Sequence, residues 1–338
     1  MLLMRNMSIE YLRVVFISLI VLLHILWKDY GGLNVMPSDQ SVDGYMQLGL
    51  TNLTSLGVTG FILISGYYGV RLKVGRAVSL WFQTTIYALI SFVLVWFTGG
   101  GNTAKGLLDA PLSLFDGGWW FITDYLILML LSPFLNAGLE KTGKRHLLFV
   151  ISLFTFIMYG AEWFHAKDSS QPLLLFLNTY LVGRYMFLYP ISFLSKHKYN
   201  IFLIGVLLLM VEPMLLHGWG LDGKMKFVGG NFNVLVLIVD MALLLICLSH
   251  KKLGTGNFLT KNVLAVYLIH ESGIGRSILH ESVFYEGKEF DLLYILLVVG
   301  IVVMVSVVIE EMRKRLFSGI EMKLINKVEA FCNLNFGK

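Results

Sequence analysis

The chain is 338 residues long, 56% hydrophobic and only 14% charged, with a net charge of +5 and a mean hydropathy of +0.72. A water-soluble domain carries about 25% charged residues, so this balance excludes a soluble globular enzyme and places the chain in lipid. The net positive charge reflects basic loops and a basic tail, so nothing points to a nucleic-acid partner. Two cysteines, Cys247 and Cys332, supply neither a disulfide framework nor a zinc-type spacing.

In chain order, ten apolar runs follow one another: 9–27, 49–70, 77–98, 119–138, 146–164, 172–190, 200–217, 232–250, 262–281 and 291–312. Each is close to the ~20 residues a helix needs to cross a hydrocarbon core of about 30 Å. Lipid offers no water to an exposed backbone, so the spans are helical. Glu212-Pro213 interrupts the seventh run, and His270, Glu271 and Arg276 load the ninth. The expected fold is an all-α polytopic membrane protein of about ten transmembrane helices. It forms one bundle over 1–312, followed over 313–338 by a short basic amphipathic tail lying on the membrane surface. The first run is too long for a signal-peptide core, and no alanine precedes Ala77 to form a cleavage site, so it reads as a span.

Alternate loops are basic: Arg71, Lys73, Arg76; Lys141, Lys144, Arg145; Lys196, Lys198; Lys251, Lys252, Lys261; then Arg313, Lys314, Arg315, Lys323 and Lys327 in the tail. The intervening loops hold only Lys28, Lys105, Lys167, Lys224, Lys226 and Lys288. The positive-inside rule then puts both termini in the cytoplasm. Trp27, Trp96, Trp119, Trp120, Trp163 and Trp219 fall near outer boundaries and Trp81 near an inner one. They read as an interfacial aromatic belt, some of it available to stack on sugar rings in an outward-facing cleft.

The first run carries the chemistry. Arg13 and His24 are eleven residues apart, about 1100° of helical turn, so they share a face and stand about 16 Å apart along the axis. A cation and an imidazole inside a span face a bundle interior or a wet cavity. Arg13 also has an ion-pair partner, Glu10, one turn away. The second run ends in Gly60, Ser65, Gly66, Tyr67, Gly69 and Arg71. Its small residues let helices approach closely or leave room for a thin ligand. Arg13, Arg71, Lys73 and Arg76 therefore meet at one cytoplasmic mouth, suited to a polyphosphate head with a long thin arm. Arg71, Lys73 and Arg76 read also as an ordinary positive-inside loop. His24 reads as a satisfied core histidine or as a base taking a proton from a hydroxyl that attacks a thioester. No metal is expected, since no ligand-spaced His, Cys or Asp surrounds it. Glu212, Asp240 and Arg276 are further intramembrane charges with no assigned role, Arg276 being placed to pair with Glu271.

Glu10-Tyr11-Leu12-Arg13, ten residues, then His24 resembles the Arg-x10-His signature of the membrane acyltransferase-3 family. Ser65-Gly66-Tyr67 after Gly60-Phe61 is similar to its second-span motif. Gly118-Trp119-Trp120-Phe121-Ile122-Thr123-Asp124-Tyr125, running to Ser132-Pro133, resembles its fourth span, and Val266-Tyr267-Leu268-Ile269-His270 its late span. The motifs occur in order over most of the chain. Many members carry a Trp-Ser-Leu-x-x-Glu pattern in the fourth span, from which Phe121, Ile122 and Asp124 depart.

The resemblance implies transfer of an acyl group, usually acetyl, from cytoplasmic acetyl-CoA or another acyl-CoA to a hydroxyl of an extracytoplasmic polysaccharide or lipid-linked glycan. It implies His24 as general base, Arg13 on the CoA phosphates, Arg71, Lys73 and Arg76 at the basic inner loop, and Ser65, Gly66 and Tyr67 shaping the throat. Trp120, Asp124, His270 and Glu271 are the expected substrate contacts, His270 along the thioester path and Asp124 with the loop His217–Gly230 on the acceptor side. The expected location is a bacterial inner membrane. The rival expectation is a polysaccharide exporter or flippase without covalent chemistry, against which no pair of broken spans recurs in matching halves. A second rival is a relay through an acylated His24.

Overall fold

The computed structural model describes residues 5–29, 42–97, 110–113, 118–164, 172–221, 230–231, 233–255, 257–283 and 290–336. Lys105, Lys167, Lys224, Lys226, Lys288 and residues 222–229 of the loop after His217 lie outside them, as do the side chains of Lys28 and Trp163. The described chain is all-α apart from one antiparallel bridge between β1 (Arg5–Asn6) and β2 (Leu253–Gly254). Its helices are α1 (Met7–Asp29), α2 (Val42–Thr54), α3 (Leu56–Tyr68), α4 (Val74–Phe97), α5 (Trp120–Lys141), α6 (Lys144–Phe164), α7 (Pro172–Leu188), α8 (Ser192–Gly218), α9 (Val234–Ser249), α10 (Val263–His270), α11 (Gly273–Val283) and α12 (Leu292–Phe336).

Among the described residues, six segments are long and apolar enough to cross a membrane: Met7–Trp27, Gly44–Tyr68, Val74–Phe97, Trp120–Lys141, Ser192–Gly218 and Leu292–Leu334. Pro172–Leu188 and Val234–Ser249 are shorter apolar helices. This is a multi-pass membrane protein. Lipid-type side chains cover its outside, for example Phe149, Leu153, Phe156 and Ile157 along α6.

α1 is the axis of the bundle. It packs against α2, α3, α9, α10, α11 and α12, burying Phe16, Ile17, Ile20, Val21, Ile25 and Leu26. α3 and α7 make the closest pair. A methyl group on Gly66 would stand 2.4 Å from the Tyr180 carbonyl oxygen, and one on Gly183 2.5 Å from that of Leu63. Of the two roles open to Gly66, the structure shows close helix approach.

The irregular spans have physical causes. Pro213 cannot donate to the carbonyl four residues back, yet α8 runs on without a break. Asn52 Nδ2 donates to that carbonyl, Leu209 O, at 2.8 Å, and to Glu212 Oε2 at 2.8 Å. Asn233 Nδ2 also donates to Glu212 Oε2, at 2.6 Å. Pro133 in α5 is handled likewise, with Ser132 Oγ donating to Met129 O at 2.8 Å. The ninth run, by contrast, is broken: α10 stops at His270 and α11 starts at Gly273. α12 runs on through 312 as one helix of 45 residues. At 1.5 Å per residue it is about 67 Å long, more than twice the bilayer core. Its far half packs along α4 instead of standing apart as a separate surface helix: Glu321 Oε1 accepts from Ser79 Oγ (2.5 Å) and Glu329 Oε1 from Gly75 N (3.1 Å).

Candidate functional site

Two features lie along the inner face of α1, one at each end of the Arg13–His24 spacing. At the Arg13 end opens a cavity of about 1160 Å³. Glu10, Arg13, Ile17 and Ile20 of α1, Phe61, Ser65, Tyr67 and Tyr68 of α3, Phe121 and Tyr125 of α5, and Tyr267 of α10 are among its walls. Its mouth is cationic, with Arg13, Arg76, Lys251 and Lys261. Arg13 Nη1 lies 2.9 Å from Glu10 Oε1, so the guanidinium carries its ion pair into the cavity wall. The helical period puts Ile17 and Ile20 between Arg13 and His24 on one face, and the cavity follows that face upward as far as Ile20, one turn short of His24.

At the other end, His24 meets the break between α10 and α11. His24 Nδ1 lies 2.9 Å from His270 Nε2 and 2.9 Å from Glu271 Oε1. Glu271 Oε2 accepts from Arg276 Nη2 (2.5 Å) and Nε (3.2 Å), and Arg276 Nη2 reaches Gly118 O at 3.4 Å. His270 Nδ1 is 2.5 Å from Val266 O. A carbonyl only accepts, so His270 carries its proton on Nδ1 and presents the Nε2 lone pair. That lone pair and the Glu271 carboxylate both require a proton on His24 Nδ1. The hydrogen-bond network therefore assigns His24 the Nδ1–H tautomer, with Nε2 as the basic nitrogen. The His270 and Glu271 side chains are 1% and 6% exposed and that of His24 19%, so the acceptors are dry and the His24 ring is reachable. In a low dielectric such contacts strengthen and hold the ring firmly.

One ligand-type atom from each of His24, His270 and Glu271 lies within 4.8 Å of the other two, so these three side chains form a set able to hold a divalent ion. The linear sequence hides this cluster, because 246 positions separate the two histidines.

The residues expected from sequence thus sort into groups. Arg13, Ser65, Tyr67 and Arg76 line the cavity, whereas Arg71 and Lys73 sit exposed on the α3–α4 connection outside its lining. Gly66 is buried against α7. Trp120 is packed on Phe121 and Phe176 (centroids 6.1 and 5.9 Å), and neither it nor Asp124 reaches the cavity wall. Phe121 does, stacked parallel to Tyr125 and tilted onto Tyr267 at 5.6 Å. Three cations went unassigned to the site. Lys251 and Lys261 look like loop charges in sequence yet line the mouth. Arg184, a cation in the sixth apolar run, donates to Tyr67 O at 3.4 Å and lies over Phe187. Its position inside an apolar stretch was the available signal.

An acyltransferase family model, described as an acyltransferase domain, matches residues 6–311. The chain belongs to the acyltransferase-3 family. No curated protein and no solved structure matches it. As a member of that family it is an acyltransferase of the membrane, and the match runs from the β1 bridge to the last apolar turns of α12, enclosing both the cavity and the His24 cluster.

Proposed function

We propose that this acyltransferase moves an acetyl group from cytoplasmic acetyl-CoA to a sugar hydroxyl of a polysaccharide or lipid-linked glycan on the far side of a bacterial inner membrane, with His24 as general base. The observation that carries the reading is the pairing of two ends on one helix face: a cation-mouthed cavity that climbs to Ile20, and above it an imidazole oriented through Nδ1 by His270 and Glu271. Ten spans with both termini inside would put the cavity mouth in the cytoplasm and the His24 cluster towards the outer leaflet.

The donor's phosphates sit among Arg13, Arg76, Lys251 and Lys261, and its thin arm rises between Phe61, Ser65, Tyr67 and Tyr267. The acceptor arrives from the opposite face. His24 Nε2 removes the hydroxyl proton as the oxygen attacks the thioester carbonyl, so a C–O bond forms and the C–S bond breaks. The proton then passes from the imidazolium to the leaving thiolate. Glu271 stabilises that imidazolium and Arg276 fixes Glu271, an arrangement general bases use to hold tautomer and direction. Oriented reactants in a dry site supply much of the remaining rate.

The test is transfer of labelled acetyl groups from acetyl-CoA into the glycan fraction of membrane vesicles holding wild type or His24→Ala. Loss of transfer in His24→Ala at equal protein level is expected. Full transfer by that variant overturns the assignment. Glycan movement across the membrane without acetyl transfer would establish the exporter instead, and labelled acetyl trapped on the protein without acceptor would establish the relay.

A further inference from the structure

A second, smaller cavity of about 370 Å³ adjoins the first, and neither the family nor the acetyl-transfer chemistry assigns it a use. Arg76, Leu80, Lys261 and Leu264 line both, so the two are neighbouring chambers with two cations on the shared boundary. Among the described residues Arg76 and Lys261 make no ion pair. The outer wall of the small chamber is the far half of α12, through Arg313, Ser318 and Met322. We propose that this chamber takes the nucleotide end of the donor, the adenosine 3′-phosphate group, with the diphosphate at the boundary and the pantetheine arm in the large cavity. The proposal rests on acyl-CoA being the donor.

Three observations support it. The first is charge order. A coenzyme-A thioester reads nucleoside, diphosphate, thin neutral arm, and the space reads small chamber, cationic boundary, long cavity walled largely by apolar and aromatic side chains. The size suits a small polar group, since ligand clefts begin at about 300 Å³.

The second is that the acidic groups of the small chamber are already engaged. Arg313 grips Glu310 with Nε (2.8 Å) and Nη2 (2.9 Å) and holds Glu321 with Nη1 (2.9 Å). Tyr87 Oη donates to Glu310 at 2.7 Å, and Ser79 Oγ to Glu321. An anion entering beside these carboxylates meets a compensated network and not a repulsive one. The same bonds fix the wall, because they tie the far half of α12 to α4.

The third is Gln83. This residue is 8% exposed, lines the small chamber, and makes no hydrogen bond with the described residues through its amide. The amide is thus open to a ligand in the chamber, and it offers both a donor and an acceptor to a purine edge.

The experiment compares acetyl-CoA with S-acetyl-pantetheine, which lacks both nucleotide and phosphates, by titration against the full-length protein in detergent. Ser318 is exposed on α12, so Ser318→Trp fills the chamber without disturbing the bundle, and an unchanged thermal unfolding midpoint checks this. Ser318→Trp, Lys261→Ala and Gln83→Leu are each expected to weaken acetyl-CoA binding about tenfold and to leave S-acetyl-pantetheine binding unchanged. Adenosine 3′,5′-bisphosphate should compete with acetyl-CoA for wild type and lose that competition in Ser318→Trp. Wild-type affinity for acetyl-CoA in all three variants, or equal weakening of both ligands, overturns the chamber assignment while leaving the donor reading intact. A wild-type protein that binds no acetyl-CoA overturns the donor reading and this proposal with it.

Discussion

Replacing Glu271 by glutamine isolates the orienting role of the carboxylate, because the shape is kept and only the hydrogen-bonding character changes. Both carboxylate oxygens accept: Oε1 faces His24 Nδ1 at 2.9 Å, and Oε2 receives Arg276 Nη2 at 2.5 Å and Nε at 3.2 Å. An amide has only one accepting atom. If its oxygen stays with Arg276, the NH2 group points at His24 Nδ1 and drives the proton to Nε2, the nitrogen that must be bare. If the oxygen turns to His24, the NH2 group faces a guanidinium, which cannot accept. The conflict is resolved at one end or the other, and the negative charge beside the imidazolium is lost in both cases. General-base catalysis contributes about 10²–10⁴ in rate, and a carboxylate-to-amide change behind a catalytic imidazole costs about 10⁴ in the best-studied triad. The expected fall in kcat is therefore about 10²–10⁴, or about 2.7–5.4 kcal/mol. The assay is labelled acetyl transfer in membrane vesicles, with acetyl-CoA affinity measured in parallel and expected to stay within twofold, since Glu271 does not line the cavity. Adding Arg276→Ala frees the amide to turn its oxygen to His24 and should recover about tenfold. A Glu271→Gln enzyme retaining more than a third of wild-type kcat would refute the orienting role.

Arg13→Ala removes a cavity cation and its ion pair with the buried Glu10. Acetyl-CoA affinity should fall about tenfold in titration, with a lower unfolding midpoint as the second sign; unchanged affinity would confine Arg13 to its ion pair. Asn52→Leu leaves Leu209 O without its donor beside Pro213, while Glu212 Oε2 keeps the Asn233 amide. At about 1–3 kcal/mol per unsatisfied group, thermal unfolding in detergent should shift down by several degrees, and an unshifted midpoint would remove Asn52 from the account of α8. Gly183→Ala places a methyl group 2.5 Å from Leu63 O and 2.8 Å from Tyr67 N. Overpacking of this kind costs about 1–3 kcal/mol, and here it pushes on the Ser65–Tyr67 wall. Both folded yield and acetyl-CoA affinity should drop, whereas a normal yield with normal affinity would show that α7 can move aside.

What could be read from the sequence follows the range of its signals. Helical periodicity is local, so Arg13 and His24 were legible as one face of one span, and the structure puts the cavity mouth and the oriented base at their two ends. Proline is local too, but its remedy is not. Glu212-Pro213 looked like an interruption because the compensating donor, Asn52, lies 157 positions away from Leu209. Charge counting ended the bundle at 312, yet a basic surface continues a helix as readily as it ends one, and the Glu321 and Glu329 contacts that hold the far half of α12 lie against α4.

The break at Glu271 is the instructive case. In an unbroken helix Glu271 and Arg276, five residues apart, would project about 140° apart. Here Glu271 is the cap where α10 stops, with φ −89° and ψ −2°. Its carboxylate swings to the same His24 nitrogen that His270 meets, while Arg276 in the first turns of α11 takes the other oxygen. The broken span is thus what brings Arg276 round to Glu271, whose own N–H still bonds Tyr267 O as in a helix. The charges that made the ninth run look least like a membrane helix are the ones that set the tautomer of His24.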